Sequence, residues 1–166
     1  MYHTIQEFLD HWKFESNSTL KVLNNLLDSS LNQKVAPNGR SLGFLAWHLV
    51  ITLGEMGGKA GLKIDGPSKD APVPPKASEI FSAYEKGCIS LANAVQTTWN
   101  DGMLKDEIEM YGQKWTREAT LHSLIVHQIH HRGQMTILMR QAGLKVPGIY
   151  GPSKEEWSQI GIQAPE

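Results

Sequence analysis

The chain has 166 residues, the usual size of one domain with a core of its own, and we expect a single domain over residues 1–166. Hydrophobic residues make up 40% and charged residues 20%, a balance that excludes wholesale disorder. Sixteen Lys and Arg residues against seventeen Asp and Glu residues give a net charge of −1, which argues against a nucleic-acid partner because such partners select a basic face.

The first predicted element is a helix from about Thr4 to Ser29, in which apolar side chains recur three or four positions apart. Its middle, Glu15 to Ser18, is polar where the apolar stripe should continue. We interpret these residues as a solvated notch. The alternative is a polar patch that faces an interior pocket.

The second predicted helix follows the turn Asn38-Gly39-Arg40-Ser41, with Ser41 as its N-cap. Glycines at positions 57, 58 and 61 weaken the helical pattern and end it. The segment from Leu62 to Ala77 contains four prolines and predicts an extended crossing over the surface.

The third and fourth helices have their own start and stop signals. Ser78 is predicted to cap the third helix, which stops at Asp101-Gly102. Residues 103–115 are compatible with a short hairpin or with an irregular cover. Thr116 is predicted to cap the fourth helix, which ends at Ala142-Gly143.

Four amphipathic helices of this length predict an all-α fold, a four-helix bundle. The long crossover between the second and third helices can carry the chain across the bundle. A simple up-down-up-down order is therefore not required.

Two features bear on the compartment. Cys88 is the single cysteine, so no internal disulfide can form, and a cytoplasmic location is expected. The longest unbroken apolar run is Phe44 to Trp47, and the N-terminus has no signal-peptide core. We therefore expect no membrane partner.

The chain contains seven histidines, which is a high number for its length, and three of them are candidate metal ligands. His127 and His131 are four residues apart on the fourth helix, which places both rings on one face with about 6 Å between their Cβ atoms. His48 is the best third ligand, because it lies on an otherwise apolar surface of the second helix and needs a partner there. Two alternatives stay open: His48 as a hydrogen-bonded core histidine, and His130 in place of His131.

The fourth helix contains the run His127-Gln-Ile-His-His131-Arg-Gly-Gln-Met, followed by Leu-Met-Arg-Gln-Ala-Gly and then Pro147. This run resembles the last helix of the DinB-like (DNA-damage-inducible) family. The segment Leu-Ala-Trp-His48-Leu, with Glu55 seven residues further on, also resembles that family. The ending Gly-Ile-Tyr150-Gly-Pro is similar to a common variant of its tail.

The resemblance implies an up-down-down-up bundle that holds nickel or zinc between one histidine of the second helix and two of the fourth. The matching residues in this sequence are His48, His127 and His131. Family members often form homodimers. Characterised relatives are thiol-dependent S-transferases and isomerases that use bacillithiol, mycothiol or glutathione.

Three neutral imidazoles leave at least one coordination position open, which is typical of a catalytic metal site. A water or a thiol in that position loses its proton more easily. Glu55 and Gln134 are candidates for orienting the rings. The alternatives are a surface salt bridge for Glu55 and helix packing for Gln134.

Three further residues near the predicted site have structural interpretations. Arg132 points away from His131, and we expect it to anchor to a carboxylate or a chain carbonyl. Tyr150 is expected to pack with the tail, and the alternative is that it closes over the mouth of the pocket. Cys88 is expected to be a buried structural thiol.

The leading hypothesis is a cytoplasmic metalloenzyme of the thiol S-transferase type, which acts on a small electrophile with a low-molecular-weight thiol as cosubstrate. A metal-dependent hydrolase is the first alternative, because water activation needs the same three ligands. The second alternative is a non-catalytic stress-response or interaction module whose metal is structural or absent.

Overall fold

Four α-helices form the body of the computed structural model, which describes residues 2–165. They are α1 (Ile5–Leu23), α2 (Leu42–Lys59), α3 (Ala77–Thr98) and α4 (Arg117–Gln141). Short 3₁₀ helices lie at Asp28–Ser30, Asp101–Lys105 and Trp157–Ile160. The predicted helical bundle is confirmed, and none of the helices within the described range is long and apolar enough to cross a membrane.

An antiparallel hairpin precedes α4 and resolves the choice left open for residues 103–115. Its strands are β1 (Glu107–Met110) and β2 (Gln113–Thr116), paired from Glu107 with Thr116 to Met110 with Gln113. Tyr111 and Gly112 at the tip have φ values of 53° and 78°. Two consecutive left-handed residues match a two-residue turn whose twist suits the flanking strands.

Contacts at the two ends of α1 define its direction relative to α3. The Ile5 amide donates a hydrogen bond to Asp101 Oδ1 beyond the end of α3, at 2.7 Å. At the other end, the Ala77 amide that begins α3 donates to Asp28 Oδ1, also at 2.7 Å. The two helices therefore run antiparallel.

The remaining helix pairs complete the order. Gly57 packs against Leu91 and Gly87 against Leu53, so α2 and α3 are parallel. The start of α2 lies beside the end of α4, because Leu45 and Leu138 line the same cavity, while Glu55 near the end of α2 reaches the hairpin before α4. The bundle is thus up-down-down-up, with residues 60–76 as its crossover.

All four helices contribute to one core. Its largest fully buried side chains include Phe8 and Trp12 of α1, Leu49 and Leu53 of α2, Ile80, Tyr84 and Leu91 of α3, and Leu124 of α4. Burial of such a side chain stabilises the fold by about 1.5–3 kcal/mol. The indole N–H of Trp12 donates to the Cys88 carbonyl at 3.0 Å, so its polar atom is satisfied inside the core.

The prediction for the end of the first helix was wrong. The helix ends at Leu23, not at Ser29, and the chain turns at Asn24. The apolar pattern continues past the end of the helix because Leu26 packs into the core from the turn, with 6% of its surface exposed. Leu27, which the pattern placed on the same stripe, is exposed.

The interpretation of residues 15–18 as a solvated notch was also wrong. Glu15, Ser16 and Ser18 are buried. Glu15 is 2% exposed because Arg132 of α4 forms an ion pair with its carboxylate at 2.6 Å. The two serines bond back to carbonyls of their own helix, which lets them be buried without external partners.

The signals at helix ends were partly correct. Ser41 and Thr116 cap α2 and α4 as predicted, accepting from the Phe44 and Ala119 amides at 3.1 and 3.2 Å. Gly143, with φ of 72°, follows the end of α4. The Ser78 cap was wrong: the N-cap of α3 is Lys76, two residues earlier, and the helix ends at Thr98 before Asp101-Gly102 is reached.

We predict that Asp28→Ala destabilises the protein by about 1 kcal/mol, because the substitution removes the side-chain acceptor at the start of α3. Asp28→Asn keeps a side-chain acceptor and should lose less unfolding free energy than Asp28→Ala. Ser78→Ala is the matched control, with an expected change of about 0.5 kcal/mol or less. Urea unfolding measures all three, and a larger loss for Ser78→Ala than for Asp28→Ala would contradict this account.

Candidate metal centre

A buried amide joins α4 to α2 next to the predicted ligands. Gln128 is fully buried, and its side-chain nitrogen donates to the Leu49 carbonyl at 3.3 Å. Its amide oxygen accepts from the Tyr84 hydroxyl of α3 at 3.0 Å. Because Gln128 follows His127 and Leu49 follows His48 in the chain, this contact brings the two histidines to the same level of the bundle.

The three predicted ligands converge. Ring centroids are 4.9 Å apart for His48 and His127, 4.8 Å for His48 and His131, and 4.4 Å for His127 and His131. One ring nitrogen from each residue lies within 4.8 Å of the others, and the group can hold a metal ion. The Nε2 atoms of His48 and His127 are 3.1 Å apart.

Gln134 contacts the cluster as a hydrogen-bond partner of His131. Its amide oxygen lies 2.8 Å from His131 Nδ1, and its amide nitrogen lies 3.2 Å from Nε2 of the exposed His130. An acceptor at Nδ1 places the proton of a neutral His131 on that atom. Nε2 of His131 then keeps its lone pair free to bind a metal ion.

Glu55 is placed differently. Its carboxylate accepts a hydrogen bond from the Tyr111 hydroxyl at the hairpin tip, at 3.1 Å. Within residues 2–165, Glu55 forms no hydrogen bond to a ring of the cluster. Its negative charge acts on His48 from a distance and partly offsets the lowering of the His48 pKa by burial.

The environment keeps the imidazoles neutral. Burial lowers the pKa of His127 to about 4, and His131, His48 and His130 add to the shift. Burial also lowers the pKa of His48 and of His131. Neutral rings are the form that binds a metal ion.

The donor set fits a divalent transition metal. Imidazole nitrogens suit zinc and nickel. Nε2 of His127 faces His48, while its Nδ1 is buried without a hydrogen-bond partner in the described part of the chain. Carboxylates and the thiol lie outside the group of three among these residues.

Arg132 anchors the buried face of α4 to α1, and both expected kinds of partner are present. It donates to the Glu15 carboxylate at 2.6 Å and to the Glu15 carbonyl at 3.0 Å. Tyr150 joins this cluster, since its hydroxyl lies 2.8 Å from Glu15 Oε1 and 2.6 Å from the Arg132 guanidinium. Tyr150 thereby ties the tail to α1 through Glu15 and to α4 through Arg132.

Sequence reasoning missed two features here. Gln128 had no predicted role, although a polar residue within an apolar stripe was a signal for one. A cavity of about 310 Å³ beside Gln134 had no sequence signal, because residues far apart in the chain line it. A larger groove of about 700 Å³ lies along α1 and contains none of the three histidines.

The chain is similar to known proteins along its whole length. The model of the DinB family matches residues 1–164. A Bacillus subtilis (strain 168) protein described as uncharacterized protein YrdA is 44% identical over 166 residues, which cover 100% of this chain and 99% of the relative.

Two solved structures are similar. The crystal structure of a DinB-like protein from Bacillus cereus ATCC 10987 has a TM-score of 0.87 and 45% identity, covering 90% of this chain and 100% of that one. The DinB-like protein YjoA from Bacillus subtilis has a TM-score of 0.68 at 19% identity, covering 88% and 98%. The second likeness concerns the fold alone.

We predict that the metal-free protein loses stability as the pH falls from about 6.5 toward 4. In this window the unfolded chain, with an ordinary imidazole pKa, binds more protons than the folded chain, in which the pKa of His127 is about 4. His127→Gln should reduce the slope, whereas His122→Gln, at an exposed position of α4, should keep it. Urea unfolding at several pH values measures the slopes, and equal slopes for all three proteins would contradict the prediction.

Proposed function

The chain belongs to the DinB family, and we propose that it is a divalent-metal enzyme that uses a low-molecular-weight thiol to attack a small electrophile. The observation that carries the proposal is the convergence of His48, His127 and His131 from two helices. A divalent ion held by these nitrogens would favour the deprotonated form of a thiol or of water. In the thiol reaction a sulfur–carbon bond forms, the bond from that carbon to its leaving group breaks, and the thiol proton passes to solvent or to the leaving group.

The chain's own thiol is unsuited to this role. Cys88 is buried in the core, and burial raises the pKa of its thiol to about 11. Its sulfur also lies 3.1 Å from the Glu85 carbonyl, within its own helix. A thiol reaction at the histidine cluster therefore requires an external thiol, which supports a cosubstrate.

Gln134 would hold the third ligand in position. By accepting from Nδ1–H of His131, it would present Nε2 toward the centre of the cluster. Zinc and nickel are the proposed ions. The expectations of a homodimer, a cytoplasmic location and a role in stress responses remain part of the proposal, and size-exclusion chromatography tests the first of them.

The metal is tested by elemental mass spectrometry on untagged protein loaded with zinc or nickel. We expect about one ion per chain, and close to none in His48→Ala and in His131→Ala, because two imidazoles bind far more weakly than three. His130→Ala is the matched control and should keep the ion, since its ring lies outside the group. The proposed site would be refuted if the parent protein took up no metal, or if His130→Ala lost the ion as the other two variants do.

The thiol is tested by thermal unfolding of the loaded protein with bacillithiol, mycothiol or glutathione, each beside its S-methyl derivative. At least one thiol should raise Tm, because a ligand that prefers the folded state stabilises it, and its S-methyl derivative should not. A loaded protein that responds to none of the three thiols would contradict thiol use and direct the activity screen to hydrolysis.

We predict that Gln134→Ala weakens metal affinity about tenfold by releasing the ring of His131. Gln134→Glu keeps the acceptor and should bind nearly as tightly as the parent. Gln141→Ala, at an exposed position near the end of α4, is the control. Competition with a chromophoric chelator measures the affinities, and an unchanged affinity in Gln134→Ala would rule out this positioning role.

A further inference from the structure

A cavity of about 310 Å³ lies beside the histidine cluster, between the loop before α2 and the second half of α4. Its lining consists of Val35, Gly39, Arg40, Leu45, Gln134, Ile137 and Leu138. Gln134 belongs to this lining and lies 2.8 Å from His131. The cavity is therefore one side chain away from the candidate metal centre.

The walls of the cavity are mostly apolar. Leu45 and Leu138 are buried, while Val35 and Ile137 are 67% and 56% exposed. Exposed branched side chains on two different elements meet at one concave site, where a ligand with an apolar body would cover them.

Arg40 supplies the positive charge of this lining. Its guanidinium lies 5.1 Å from the centre of the Phe44 ring, and Phe44 in turn stacks on His48 with 6.0 Å between ring centres and 11° between planes. Within the described residues, Arg40 has no carboxylate at ion-pair distance. The exposed Arg40 thus brings a cation to the side of His48 without an anionic partner.

The loop that carries Arg40 is closed by backbone contacts. Lys34 and Ser41 form an antiparallel bridge, and the Leu42 amide donates to the Gln33 carbonyl at 2.9 Å. Inside the loop, the Gly39 amide donates to the Ala36 carbonyl at 2.8 Å. The loop therefore fixes the backbone of Arg40 at the cavity before any ligand binds, which lowers the entropic cost of ordering the loop.

We propose that this cavity binds a small substrate with an apolar body and one carboxylate, and that Arg40 recognises the carboxylate. The proposal rests on the proposed function, because the cavity would present this substrate to the histidine cluster. The planar guanidinium matches a carboxylate with paired hydrogen bonds. A single cation suits a monoanion, and the volume of the cavity, near the lower end for ligand sites, limits the size of the substrate.

The test compares two probes of the same shape, 4-methylpentanoate and the neutral 4-methylpentanamide. Their dissociation constants are measured by NMR titration with the metal-free and with the zinc-loaded protein. We expect the acid to bind about tenfold more tightly than the amide in both forms, because hydrogen bonds to a charged group add this much.

Three variants separate charge from shape. Arg40→Gln should remove the preference for the acid and leave amide binding unchanged. Lys34→Gln removes the same charge from the same loop outside the cavity, and it should keep the preference. Ile137→Ala should weaken the binding of both probes to the same degree. Thermal unfolding verifies that each variant is folded.

The possible outcomes distinguish this inference from the proposed function. An acid preference that persists in Arg40→Gln, or binding of neither probe, overturns the assignment of Arg40 even when the protein binds zinc. An acid preference that appears with zinc alone and survives Arg40→Gln assigns the carboxylate to the ion and also overturns it. A protein that binds no zinc but still prefers the acid through Arg40 supports the anion site and refutes the metal proposal.

Discussion

The inner face of α4 carries polar side chains that cannot be buried alone, and the arrangement of the bundle depends on their partners. Gln128 bonds to α2 and α3, and Arg132 bonds to Glu15 of α1. A buried charge that loses its partner costs about 3–5 kcal/mol. The position of α4 against the other three helices is therefore set by polar contacts as well as by apolar packing.

The histidine cluster lies beside these two anchors, because His127 directly precedes Gln128 and His131 directly precedes Arg132. Gln128 brings His127 beside His48, and Arg132, which turns away from the cluster, ties the next turn of α4 to α1. Burial then keeps the rings neutral, which favours metal binding over protonation. The same interactions that stabilise the fold thus determine which nitrogens converge.

The contacts on two sides of the histidine cluster link the fold to the chemistry we propose. On one side, Gln134 contacts His131 and lines the cavity that contains Arg40. On the other side, the hairpin tip reaches α2 through the bond between Tyr111 and Glu55. A catalytic metal centre needs space for a substrate beside the ion, and the adjoining cavity is the space that we propose for it.

Much of this protein follows from local sequence, because helical periodicity and caps depend on residues within one or two turns. The four helices, the caps at Ser41 and Thr116 and the inward faces of the three histidines were predictable for that reason. The tertiary structure alone decided the burial of Glu15, whose partner Arg132 is 117 residues away, and the start of α3 at the carboxylate of Asp28. It also decided that Gln134 contacts a ring while Glu55 bonds to the hairpin, because such choices depend on which distant segments meet in space.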